Sequence, residues 1–105
     1  MGADLEVARR FGVNLRRARR RADLSQEQLG SRASLHRTAI GLLERGARMP
    51  RVDTLVKLAT ALEIPSGELI EGIAWTPATT EAGAFTIKPR AELERRGLPE
   101  EPEGG

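Results

Sequence analysis

The stretch 24–46 constrains this chain more than any other. It opens with Leu24-Ser25-Gln26-Glu27-Gln28-Leu29 and closes with Ile40-Gly41-Leu42-Leu43-Glu44-Arg45-Gly46. Ser25 followed three residues later by Gln28 is a capping box. The serine hydroxyl accepts from the Gln28 backbone N–H, and the Gln28 side chain returns to the Ser25 backbone. A helix therefore starts here, with Leu29 and Ala33 inward and Gly30 and Ser31 keeping the outer surface small. Ser34-Leu35-His36 makes a turn, and a further helix runs from about Arg37 to Arg45. Gly46 stops it at the C′ position, where a positive φ is free of strain. Two short helices joined by three residues pack at a fixed separation.

The flanks supply further helices. Leu5, Ala8, Phe11, Leu15, Ala18 and Ala22 recur at helical spacing, so residues 4–22 read as one amphipathic helix with an interruption near Gly12. Its other face carries Arg9, Arg10, Arg16, Arg17, Arg20 and Arg21. Beyond the loop that ends at Pro50, Leu55, Leu58, Ala59 and Leu62 form the stripe of a fourth helix, closed by Ile64-Pro65. Ser66 is placed to cap a short fifth helix through Leu69 and Ile70, with Glu68 in its first turn. Five helices with short connections make a compact all-α domain over residues 11–72, preceded by a helical extension at 1–10. After Gly72 the pattern changes. Ala84-Phe85-Thr86-Ile87-Lys88 alternates with period two, as a single short strand or as a hairpin arm folded back on Ile73-Ala74-Trp75. Residues 73–97 thus read as a C-terminal extension with a helical turn at Ala91–Arg96. Residues 98–105, rich in Pro, Glu and Gly, read as a disordered tail.

Charge divides the chain. Residues 1–51 hold 12 Arg against 5 acidic residues, and residues 52–105 hold 5 Lys and Arg against 10, so a net charge of +2 conceals halves of +7 and −5. A basic half of this kind suits a nucleic-acid face. The lack of cysteine removes disulfides, thiolate metal sites and cysteine nucleophiles, and a lone histidine, His36, removes a histidine-rich metal centre. No metal or other cofactor is expected. No apolar stretch approaches the ~20 residues needed to span a membrane. The N-terminus, with Asp4 and Glu6, lacks the layout of a signal peptide, so a cytoplasmic location is expected.

A helical wheel separates the third helix into two sides. Ala39, Ile40 and Leu43 face inward, whereas Arg37, Thr38, Gly41, Leu42 and Arg45 face out. A buried structural helix would be apolar nearly all round; this outer face is short, mixed and partly basic, as in a helix that reads DNA. Arg37 can donate a bidentate pair to guanine O6 and N7, and Thr38 can offer a hydroxyl to a base or a methyl to thymine. Gly41 would let the helix backbone approach the groove floor closely, and Leu42 either packs on a thymine methyl or against a neighbouring helix. Arg45, Arg48 and Arg51 flank this helix where phosphate clamps are expected; such contacts fix register without reading sequence.

These positions together resemble the phage-repressor-type (Xre family) helix-turn-helix. The match covers about residues 11–72 and rests on Leu24-Ser25-Gln26, Leu29, Ile40, Leu43-Glu44-Arg45-Gly46, Pro50, Leu55 and Leu58-Ala59-x-Ala61-Leu62, in register without a gap. The resemblance implies that Gln26 braces against backbone phosphate and reaches an adenine edge. It also implies an ion pair between Arg19 and Glu44 that holds the first helix to the end of the third. The chain departs from the pattern at Ser34, where a turn glycine is usual, at Arg51 and His36, where a small capping residue is usual, and at Gly41-Leu42, which replace polar readers. His36 reads as an exposed imidazole, either uninvolved or in contact with a phosphate.

The implied function is a sequence-specific DNA-binding transcriptional regulator: a homodimeric repressor reading a palindromic operator in double-stranded DNA with helix three. Trp75, Phe85 and Ile87, which follow an already complete domain, are the candidate dimer contact. An alternative from another class is an antitoxin-like module that wraps a protein partner with residues 73–105. An enzyme is not expected, because no nucleophile–base grouping, carboxylate pair or phosphate loop sits in a suitable context.

Overall fold

The computed structural model describes residues 2–78 and 83–89. The chain divides into two compact units, Met1–Glu71 and Gly72–Gly105. The first unit is all-α, with helices α1 (Gly2–Arg21), α2 (Gln26–Ala33), α3 (Arg37–Glu44), α4 (Val52–Leu62) and α5 (Ser66–Leu69). Phe11 and Leu15 of α1, Leu29 of α2, Ile40 and Leu43 of α3, Leu58 of α4 and Leu69 of α5 are fully buried. Every helix thus contributes to one core. Burying each large side chain contributes roughly 1.5–3 kcal/mol, and their convergence makes the unit cooperative.

The capping box is complete at α2. The Gln28 backbone N–H donates to Ser25 Oγ at 3.0 Å, and the Ser25 N–H donates to Gln28 Oε1 at 2.8 Å. Left-handed residues end two helices, Ser34 (φ 59°) after α2 and Glu63 (φ 59°) after α4, and a third, Asp23 (φ 62°), follows α1. Gly46 adopts φ 72° and lies where its missing side chain lets α1 approach, since a Cβ there would stand 2.9 Å from Arg9 Cα.

Three local expectations are corrected. First, α1 is continuous through Gly12. The glycine serves a tertiary contact: a Cβ at position 12 would lie 2.5 Å from the carbonyl oxygens of both Leu43 and Glu44, so its absence lets α1 seat on the end of α3. Second, Gly30 does not line an outer surface. It is buried beneath the turn, where a Cβ would stand 2.5 Å from Leu35 O. Third, Ser66 is the first residue of α5, and the cap position is Pro65, which offers no side-chain acceptor. At the margins of α1, Leu5 is 44% exposed and Ala22 lies beyond the helix end, so neither joins the core.

The second unit is an antiparallel hairpin of β1 (Ile73–Thr76) and β2 (Ala84–Ile87), pairing Ile73 with Ile87 and Trp75 with Phe85. The Lys88 N–H extends the ladder by donating to Gly72 O at 2.8 Å. Between the alternatives of a lone strand and a hairpin, the chain forms the hairpin. Alternation places Ile73, Trp75, Phe85 and Ile87 on one face, and the two aromatic rings meet edge to face at 5.0 Å. The helical turn expected at Ala91–Arg96 and the tail at 98–105 lie outside the described residues.

Candidate nucleic-acid interface

Gly30 and the left-handed Ser34 bring α3 across α2. The N–H groups of Ser34 and Leu35 both donate to Gly30 O, the latter at 2.8 Å, which fixes the turn that aims α3. His36 then caps α3: its backbone is extended (φ −73°, ψ 148°), and its ring Nδ1 accepts from the Thr38 N–H at 3.0 Å. The imidazole is therefore a structural participant, a correction to its reading as uninvolved. Sequence rules missed it because they count hydroxyl, carboxylate and amide oxygens as cap acceptors, and a ring nitrogen serves as well.

Arg37 and Thr38 occupy the first turn of α3 and are exposed, while Ile40 and Leu43 close its inner side. The Arg37 side chain is 65% exposed and reaches Glu27 Oε1 of α2 only at 3.7 Å. A surface pair of this kind contributes about 0–1 kcal/mol, so the guanidinium is readily surrendered to another acceptor. Leu42 is half-buried. Gly41 is buried, with Arg45 Nη1 3.1 Å and Gln26 Oε1 3.7 Å from where its Cβ would stand. The missing side chain at 41 thus gives the arginine and the glutamine room to lie over α3. Arg45 is the C-cap of α3, Arg48 lies exposed in the following loop, and Arg51 precedes α4, its Nε 3.4 Å from Asp53 Oδ1.

Behind this surface lies a hub at Glu44, whose side chain has no solvent exposure. Its Oε2 accepts from Arg19 Nε at 2.6 Å, and its Oε1 accepts from Arg19 Nη2 at 3.0 Å, Gln26 Nε2 at 3.1 Å and Arg16 Nε at 3.4 Å. Arg19 also donates from Nη1 to Leu24 O at 2.8 Å. Burial by itself pushes the Glu44 carboxyl up. The hydrogen bonds from Arg19, Gln26 and Arg16 and the arginine charge outweigh it, holding the carboxyl below the usual glutamate range. Its hydrogen bonds to Glu44, with the charge of that carboxylate, raise Arg19 against the opposing effect of burial. Because a carboxylate only accepts, the Gln26 amide must turn its nitrogen to Glu44. Gln26 is thereby oriented by a residue eighteen positions away. Neither the Gln26 link nor the Arg16 link follows from spacing along the chain. Asn14 was likewise missed: buried on α1, it donates to Leu69 O at 3.1 Å and Glu71 O at 3.0 Å, holding the end of α5.

The helix-turn-helix family profile matches residues 15–69, the segment that contains this hub and both crossed helices. The chain belongs to the helix-turn-helix family, in its phage-repressor (Xre) branch. This helix-turn-helix protein is 36% identical over 76 residues to the HTH-type transcriptional regulator y4dJ of Sinorhizobium fredii, covering 72% of this chain and 99% of that one. Among solved structures, it resembles the restriction-modification controller protein C.AhdI of Aeromonas hydrophila. The identity is 42% with a TM-score of 0.58, over 59% of this chain and 94% of that one. It also resembles the P22 c2 repressor, solved in complex with a synthetic operator, at 27% identity and a TM-score of 0.56, over 59% of this chain and 94% of that one. The family is one of DNA-binding transcriptional regulators. Among the described residues no helix is long and apolar enough to cross a membrane, and no acidic, histidine or cysteine cluster could hold a metal ion.

Proposed function

We propose that this protein is a homodimeric repressor that reads a palindromic operator by laying α3 in the major groove. The observation that carries this reading is the two-sidedness of α3: Arg37 and Thr38 stand exposed on its first turn, while Ile40 and Leu43 are fully buried on its inner side. Arg37 reads guanine, Thr38 contacts an adjacent base, and Leu42 packs beside them. Gln26, seated over Gly41 by Glu44, reaches phosphate or an adenine edge at the start of α2. Arg45, Arg48 and Arg51 clamp the phosphates on either side. The operator-bound P22 c2 repressor and the controller C.AhdI support this reading by kinship.

The test is fluorescence anisotropy with the duplex upstream of the protein's own gene and a shuffled duplex, at two salt concentrations. A bidentate arginine–guanine pair carries about 1–3 kcal/mol of discrimination. Arg37→Ala is therefore expected to lower affinity for the specific duplex by roughly 5- to 150-fold while leaving the shuffled duplex nearly unaffected. An equal loss on both duplexes would return Arg37 to a phosphate role.

Two copies on a palindrome must hold their recognition helices about 34 Å apart. The apolar hairpin face supplies the contact between them. Trp75 is 54% exposed and Phe85 39% exposed, although both are large aromatics, and an isolated two-stranded hairpin is marginally stable without cover. Trp75→Ala is expected to shift the protein from dimer to monomer in sedimentation equilibrium and to weaken binding to the palindrome. A dimer that persists in the variant would move the contact away from Trp75, Phe85 and Ile87.

A further inference from the structure

We propose that His36 is a DNA-directed hydrogen-bond donor, its Nε2–H aimed at an acceptor on the duplex beside Arg37 by the cap that its own Nδ1 makes. This inference rests on the DNA-reading function above and adds a residue to it.

The argument begins with the tautomer. A ring nitrogen that accepts a hydrogen bond carries no proton, so the Nδ1 contact with the Thr38 N–H at 3.0 Å places the proton of the neutral ring on Nε2. In a five-membered ring the Nε2–H bond diverges widely from the Nδ1 lone pair. With Nδ1 turned into the first turn of α3, Nε2–H points out from the helix start, and the residue is exposed. A single hydrogen bond thus fixes both the identity of the outer atom and its direction.

The backbone beneath the ring is equally fixed. Leu35 N–H donates to Gly30 O at 2.8 Å, and Gly30 lies so close to the turn that a Cβ would stand 3.5 Å from His36 C and 2.5 Å from Leu35 O. A serine or threonine cap keeps its O–H as a donor, but on the very atom that caps the helix and close to the backbone. An imidazole performs the same cap with one nitrogen and keeps a second, outward donor a ring's width further from the backbone. Duplex DNA offers acceptors at phosphate oxygens and at the guanine N7 and O6, adenine N7 and thymine O4 edges of the major groove.

His36→Ser retains a cap acceptor and draws the donor back from the far edge of the ring to a hydroxyl beside the backbone, whereas His36→Ala removes both acceptor and donor. Binding of both variants and the wild type is measured at pH 8 to the specific and shuffled duplexes, beside their urea midpoints. His36→Ser is expected to keep the wild-type midpoint and bind the specific duplex about fivefold more weakly, the size of one net hydrogen bond. His36→Ala is expected to lower both midpoint and affinity. A loss confined to the specific duplex assigns the acceptor to a base edge, and an equal loss on both assigns it to phosphate. A His36→Ser variant that binds like a discriminating wild type overturns the proposal alone. A wild type that discriminates between no duplexes overturns the DNA-reading function and the proposal together. Long-range proton–nitrogen spectra of the free protein give an independent check: a ring protonated on Nδ1 and bare on Nε2 would also overturn it.

Discussion

Glu44→Ala is expected to remove about 3–5 kcal/mol of stability, the cost of stranding a buried charge when its partner is deleted. Arg19, with its side chain only 11% exposed, would keep its bond to Leu24 O and lose both bonds to the carboxylate, while Arg16 and Gln26 would lose their shared acceptor. Domains of this kind hold about 5–15 kcal/mol in total, so the loss takes a large share of the stability and the urea midpoint should fall well below that of the wild type. Urea denaturation measures this directly. Glu44→Gln keeps the shape and an acceptor oxygen and should lose less. Replacing Arg19 and Glu44 together with leucine should recover much of the loss, because no unpaired charge remains.

The same hub sets an acid dependence whose sign is fixed. The Glu44 carboxyl is held below the usual range in the fold, and an unfolded glutamate titrates near ~4.3. Between the two values the unfolded chain binds more protons. The contribution is therefore fully present above about pH 4.3 and is lost as pH falls through the folded value. Arg19 is raised from a value already far above neutrality and adds no dependence in this window. Stability measured from pH 7 to pH 3 should fall more steeply in the wild type than in Glu44→Gln; parallel curves would remove Glu44 as the source.

Gly12→Ala is the second large effect expected. Mid-helix, alanine is intrinsically favoured over glycine by about 1 kcal/mol. Here the added Cβ would stand 2.5 Å from two α3 carbonyl oxygens and 2.8 Å from the Glu44 carbonyl carbon, all backbone atoms with no rotamer to yield. Overpacking against backbone of this kind sits at the upper end of the usual cost of about 1–3 kcal/mol, so a net loss of about 2 kcal/mol should remain after the propensity gain. Because the shift would part α1 from the end of α3, it should also lengthen the Arg19–Glu44 contact and disturb the seat of Gln26. Gly67→Ala in α5, with nothing within 4 Å of the new methyl, is the matched control and should be neutral or mildly stabilising. A Gly12→Ala protein as stable as that control would mean that α1 and α3 can separate freely.

The two glycines also mark what could be read from residues alone. Local chemistry carried the helices: Ser25 with Gln28, Gly46 at a positive φ, and the apolar positions Leu29, Ile40, Leu43, Leu58 and Leu62 each depend on neighbours within a few turns. Gly12 misled because its propensity argues for a break, while the contact that requires it comes from residues 43 and 44 on another helix. Ser34 stands where the family pattern has glycine, yet it takes the left-handed conformation that the turn demands. The engagement of Arg16 and Gln26 with Glu44, and of Asn14 with the end of α5, depends on three-dimensional meetings that no spacing along the chain encodes. The apolar alternation at 84–88 fitted one strand or two, and pairing of Trp75 with Phe85 decided for two.

The left-handed residues at Asp23, Ser34 and Glu63 have a consequence for how this protein can change over generations. Each holds a conformation that disfavours a residue with a side chain, at roughly 0.5–1 kcal/mol relative to glycine after allowing for glycine's greater freedom when unfolded. Asp23 and Glu63 carry none of the residues assigned to the DNA surface. Mutation of either to glycine would lift stability without touching recognition, and that margin could then absorb destabilising exchanges at Arg37, Thr38 or Leu42. The joints between helices are thus a reserve of evolvability, separate from the surface on which a new operator preference would arise.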